Sequence, residues 1–190
     1  MKVNPVAVLI AIIIFFAIVL LAYNAMPRQG SQADMKLSDR QAILDDARIK
    51  FPDADMVDIV NITETSEAGS SYLIVKVRVT EGFSSTCPKR YHLQYFYPQQ
   101  KFEPSKPELV TKDCSMCGDG NCIVAFEEEA IIASVNAPGT EEVGDFVDSK
   151  PNPVPSVAPL ENNSWSVTWR SGSEKVTVIL SNRGEVLSIS

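Results

Sequence analysis

The chain has 190 residues, four cysteines, one histidine and a formal net charge of −7. Its first 25 residues carry only Lys2, so sixteen of the seventeen basic residues face all twenty-four acids in the remainder, about −8. That balance disfavours nucleic acid and anionic lipid as partners, and the length suits one domain, or two small ones behind an anchor.

Residues 6–22 read VAVLIAIIIFFAIVLLA, without a charge or a strongly polar side chain. Seventeen residues in helix span about 26 Å, close to the hydrocarbon thickness of a bilayer, and Tyr23 suits the headgroup region. A cleaved signal would have a shorter apolar run ending in small residues spaced A-x-A, but here Tyr23 stands between Ala22 and Ala25. Residues 1–25 are therefore expected to be an uncleaved membrane anchor and residues 26–36 a polar stalk.

The flanking charges do not favour export of the C-terminal part, because Arg28, Lys36 and Arg40 follow the span while only Lys2 and the amino terminus precede it. Three features favour an extracytoplasmic domain nonetheless. The bulk is acidic, the cysteines are even in number and clustered, and Asn61-Ile62-Thr63 and Asn162-Asn163-Ser164 fit the glycan-acceptor pattern.

Residues 37–106 form a first expected unit. Ser38 and Gln41 have capping-box spacing, and Ala42, Ile43, Ala47 and Phe51 mark a helix over about 39–50 that Pro52 ends. Residues 56–63 are strand-like. In 72–80, Leu73, Val75, Val77 and Val79 share one face, with Lys76, Arg78 and Thr80 on the other. In 90–97, Tyr91, Leu93, Tyr95 and Tyr97 again share a side.

Residues 107–125 are a cysteine-rich connector, and residues 126–190 a second unit. Its helix begins at Phe126 with Glu127, Glu128 and Glu129 at the positive end of the dipole. Residues 143–149 (VGDFVDS) are a strand candidate, and the prolines of 150–159 predict an extended linker or an edge. Trp165, Val167 and Trp169 alternate with polar residues, as do Val176, Val178 and Leu180. Asn182-Arg183-Gly184 turns the chain into a last strand. The order of elements repeats, so an internal duplication is expected, each unit of about 60 residues being marginal alone.

Three stretches of the second unit, EEEAI (127–131), SWSVTW (164–169) and VTVILSNRGEVLSI (176–189), resemble PepSY domains, small modules with a helix on an antiparallel sheet and a cystatin-like shape. Gly184 matches that family's turn glycine, whereas the leading Asp and the Thr of its turn are missing here. The resemblance implies an extracytoplasmic, often membrane-tethered module with a proposed role in inhibiting or regulating peptidases. It implies no catalytic residues. The expected fold class is thus α+β: an N-terminal transmembrane helix followed by two small helix-on-antiparallel-sheet, cystatin or PepSY-like, repeats.

The cysteines carry the sharpest alternatives. Cys87, Cys114, Cys117 and Cys122 could form a tetrahedral zinc site, but only one C-x2-C half is present. A redox dithiol would place C-x-x-C at a helix N-terminus, whereas here it runs into a turn. Disulfides fit better: Cys117 and Cys122 flank the turn-forming GDGN, which leaves Cys87 for Cys114, one of three possible pairings. His92 reads as a solvent-side strand histidine, and no nucleophile elbow or metal-binding helix pair accompanies it. The glutamate run could bind a cation, but a helix N-terminus explains it without one; Asp119-Gly120-Asn121 lacks the ligand pattern of a calcium loop, and the Trp and Tyr stripes read as core beneath a helix.

No cofactor is expected. The functional reading is a non-catalytic, membrane-anchored binding, regulatory or inhibitory module with an unidentified protein partner. The alternatives are a thiol-redox or zinc-handling protein centred on Cys114–Cys122, and an accessory subunit of a membrane complex or surface assembly.

Overall fold

The computed structural model describes residues 35–67, 70–98, 103–111, 113–120 and 122–190. Helix α1 (Leu37–Lys50) leads into an antiparallel sheet of β1 (Met56–Glu67), β2 (Ser70–Glu81), β3 (Lys89–Tyr97) and β4 (Glu108–Leu109), paired in chain order. After the connector come α2 (Glu127–Asn136) and α3 (Glu141–Ser149). A second antiparallel sheet follows, with β5 (Val154–Leu160), β6 (Ser164–Ser171), β7 (Glu174–Ser181) and β8 (Val186–Ile189), again in chain order.

The alternation of side chains assigns the first sheet its two faces. Val57, Val79 and Tyr91 lie in register, as do Ile59, Val77 and Leu93, and this apolar face receives Ile43 and Ala47 of α1. The Phe51 and Tyr91 rings meet at 5.5 Å. Tyr95 and Tyr97 donate their hydroxyls to Asp46 and Asp39, each at 2.7 Å, so the tyrosine stripe satisfies its polar ends on the helix it supports. The helix begins at Leu37 after Lys36, and Ser38 makes no cap: its hydroxyl bonds the Asp39 side chain while Gln41 bonds Asp45. The capping box expected there is absent, because Ser38 lies within the first turn.

Val167, Trp169, Val176, Val178 and Leu180 of the second sheet pack with Ala130, Ile131 and Ala133 of α2 and Val143 of α3. The Trp169 ring is fully buried and its indole N–H donates to the Ser134 hydroxyl at 2.9 Å. Phe83, from the loop between β2 and β3, joins the same cluster, and Met35–Ser190 form a single compact unit. Residues 143–149 are helical, contrary to the expected strand. Val143, Phe146 and Val147 are spaced i, i+3, i+4 and all touch the core, and Glu141 and Glu142 sit at the helix's positive end. Residues 154–160, with Pro155 and Pro159, form an edge strand.

The expected fold class is overturned. Among the described residues two four-stranded antiparallel sheets dominate, with three helices of 14, 10 and 9 residues, in place of two helix-on-sheet repeats of cystatin or PepSY-like shape. The physical reason lies in α2, whose residues Glu128 to Ser134 are all buried. Its apolar side chains serve the second sheet and its glutamates bond the first, so it belongs to neither half alone. None of the described helices is long and apolar enough to cross a membrane. The anchor expected at residues 6–22 lies outside the described residues.

Two disulfides clasp the connector. Cys87, in the β2–β3 loop, bonds Cys114, and Cys117 bonds Cys122 five positions on. The β7–β8 turn rests on the second bridge: Gly184 has φ +74°, and a Cβ there would lie 2.5 Å from the Cys122 sulfur and 3.0 Å from that of Cys117. Only glycine meets both conditions without strain. Gly184→Ala is therefore expected to destabilise the disulfide-bonded domain by about 2–4 kcal/mol, from the left-handed backbone and overpacking together, read as a shift in urea midpoint against wild type.

Candidate functional site

The polar face of the first sheet brings Arg78 and Arg90 together, because Arg78 pairs with His92 and Thr80 with Arg90 across adjacent positions of β2 and β3. Both guanidiniums are almost fully buried, at 5% and 4% exposure. Opposite them stands the first turn of α2. Arg78 takes Asp58 in a two-pronged grip at 2.9 and 3.1 Å and reaches Glu127 at 2.5 Å. Arg90 bonds Glu129 at 2.6 Å. Glu128, with no exposure at all, accepts the Thr80 hydroxyl and lies 3.6 and 3.7 Å from Arg78 and Arg90.

Phe126 completes the cluster. Its ring lies 4.2 Å from the Arg90 guanidinium carbon and 5.1 Å from that of Arg78, within cation–π range of both. The other oxygen of Glu129 accepts the backbone N–H groups of Ala125 and Phe126, satisfying donors at the helix entry. Burial works against the Arg78 charge, but the bonds from Asp58 and Glu127 and the Glu128 charge outweigh it and raise its pKa further. The cluster joins the first sheet to α2, whose apolar residues pack on the second. Its two arginines and Glu128 are closed off from solvent while Asp58 and Glu127 stay partly exposed, and Arg90 Nε and Nη1 and Glu128 Oε2 make no hydrogen bond, so charge attraction carries part of an arrangement suited to holding surfaces in register.

His92 lies on this same face, half-buried rather than turned to solvent, and its Nε2 is buried without a hydrogen-bond partner. Burial, helped by Lys76, Arg90 and Arg78 and opposed by Glu108, pushes its pKa down to about 4. No hydroxyl or thiol bonds it among the described residues.

All four cysteines are disulfide-bonded, so in this form the cluster offers neither the thiolates a zinc site takes nor a reactive dithiol. Such bridges fit an extracellular or otherwise oxidising location. Among the described residues no group of three or more His, Cys, Asp or Glu side chains is placed to hold a metal ion. The two glycan-acceptor asparagines are exposed but differently placed. Asn61 lies within β1, its amide on the Thr63 hydroxyl at 3.1 Å, and Asn162 lies at the β5–β6 turn with φ +63°.

An open groove of about 410 Å³ borders the connector, lined among others by Ile123, Pro159, Leu160, Asn163, Trp165 and Asn182. Ile123 is 75% exposed and Leu160 41%. The Trp165 indole donates to the Val124 carbonyl at 3.0 Å, fixing the ring as the groove's wall, while Trp169 is core. A smaller cavity of about 210 Å³ lies between Val110, Thr111, Asp113, Met116 and Glu129.

No family model, curated protein or solved structure matches the chain. Nothing in these comparisons identifies a PepSY-like domain, and Gly184 has a turn role on its own geometry.

Sequence reasoning left Arg78, Arg90, Thr80 and Phe126 out of any site. The available signal was an arginine on the polar face of each of two neighbouring strands and a run of three glutamates without a cation nearby in sequence. Arg90→Ala, which strands buried carboxylates, is expected to cost about 3–5 kcal/mol by urea denaturation, with part of the loss recovered when Arg90→Met is combined with Glu128→Gln. His92 adds a pH dependence. Between its ordinary value of 6.5 and about 4 the unfolded chain holds a proton that the folded chain refuses, so stability falls as pH falls through that window. His92→Gln is expected to flatten this part of the profile, measured as urea midpoint against pH.

Proposed function

We propose that the protein is a non-catalytic binding module with a regulatory, inhibitory or assembly role. It works outside the cytosol, attached to a membrane through the uncharged run at residues 6–22. The observation that carries the reading is the convergence of both disulfides on the connector, where Cys87–Cys114 ties the first sheet and Cys117–Cys122 underlies the turn of the second. Such links stabilise a domain chiefly by limiting its unfolded chain, by about 2–4 kcal/mol each, and they persist where thiols oxidise. The strongest polar constellation is consumed internally, while apolar side chains such as Ile123 and Leu160 stay outside.

In intact source cells, externally added protease is expected to remove the part after residue 35, and solubilised full-length chain to carry a protein partner in fixed ratio, identified by mass spectrometry. Protection of that part in intact cells, or substrate turnover by the pure chain that a point mutation abolishes, would overturn the reading.

A further inference from the structure

The four sheet edges are not alike. β4 has two residues and β8 four, and β5 carries Pro155 and Pro159, which have no N–H to offer. Short strands and prolines are the usual means of keeping an edge from pairing with another chain. β1 has neither. It runs for twelve residues without a proline, a lysine or an arginine. Its one irregularity, between Ile59 and Asn61, leaves Asn61–Glu67 as a continuous edge of seven residues.

The backbone of this segment bonds only β2 among the described residues, and α1 packs on its face rather than along its edge. Asn61, Thr63, Glu64, Ser66 and Glu67 are exposed. Charge selects the occupant. Asp58 is engaged by Arg78, but among the described residues Glu64 and Glu67 meet no cation in an ion pair, Glu67 accepting only the Tyr72 hydroxyl at 3.4 Å. Two copies pairing through β1 would set this cation-free, doubly acidic strand against itself, and like charges across a strand pair are destabilising.

We propose that Asn61–Glu67 is a docking edge that takes an extended strand of a partner protein bearing Lys or Arg opposite Glu64 and Glu67. Main-chain bonds along the open edge supply the attachment and the two carboxylates the selection. The inference rests on the binding-module reading and names the kind of partner.

The test uses the full-length chain in mild detergent and a nine-residue synthetic peptide of valine and threonine with two lysines three positions apart, one for each face of the strand as Glu64 and Glu67 are, with acetylated and amidated ends. Hydrogen exchange read by mass spectrometry is expected to show new protection confined to β1, and a version N-methylated at alternate residues is expected to lose it. Glu64→Lys with Glu67→Lys is expected to weaken the lysine peptide about tenfold, the equivalent of two surface ion pairs, and to favour a peptide with glutamate for lysine. Should the double variant fail to melt cooperatively, the N-methylated peptide decides alone, since it leaves the protein unchanged.

Absence of binding, binding indifferent to N-methylation, protection elsewhere, or dimerisation of the free chain through β1 would each overturn the docking edge. A membrane partner retained undiminished by the double variant would also overturn it while leaving the binding-module reading intact. Turnover of a substrate, by contrast, would overturn that reading directly.

Discussion

Burying Arg78 and Arg90 against the N-terminus of α2 is the constraint on which the remaining architecture depends. A buried charge is tolerated only when its partners are close and its hydrogen bonds are made. Four carboxylates face two guanidiniums here, an excess of acid that would be costly in an apolar setting. The helix N-terminus offsets it with its partial positive charge and with the N–H groups of Ala125 and Phe126, which Glu129 takes. Phe126 fills the space between the two cations with a ring face that attracts both. The geometry is demanding, so the relative placement of the two sheets is demanding too.

With its first turn fixed on one sheet, α2 can present only its apolar residues to the other. That accounts for a helix buried on every side, unlike α1, which shows the one-sided burial of a surface helix. The connector must then run between two fixed points, the β2–β3 loop and the β7–β8 turn. The disulfides sit at those points. Asn136, at the end of α2, adds a bond to the Cys114 carbonyl at 2.9 Å, so the helix holds the connector at one end and the first sheet at the other.

Much of the local structure was legible in the sequence. The two-residue period of Leu73 to Val79 and of Trp165 to Trp169 announced strands, and the turn formers between Cys117 and Cys122 announced a tight loop. What failed were inferences that needed the third dimension. A polar strand face is by default a wet one, so Arg78 and Arg90 read as solvated, and the residue that disproves this, Glu127, lies 49 positions from Arg78. Residues 143–149 misled because Val143, Phe146 and Val147 suit a short strand nearly as well as one and a half turns of helix. The duplication misled for a related reason: order of elements can repeat while packing does not, and only packing reveals that one helix serves both sheets.

The same geometry separates the cohesive cluster from the exposed surfaces. Glu128 and the two arginines are buried in the folded state, so the surfaces that remain outside are the groove beside Ile123 and the edge of β1. These two surfaces are held by different means. The groove's wall follows directly after Cys122 and depends on the short bridge and on the indole bond of Trp165 to Val124. The β1 edge depends on pairing with β2 and on the helix beneath it, neither of which involves a cysteine. A change of redox conditions therefore acts first on the groove, whereas the edge persists as long as the sheet does. Of the two, the edge can present main-chain donors and acceptors in a fixed row, and strand recognition requires that row before any side chain is considered.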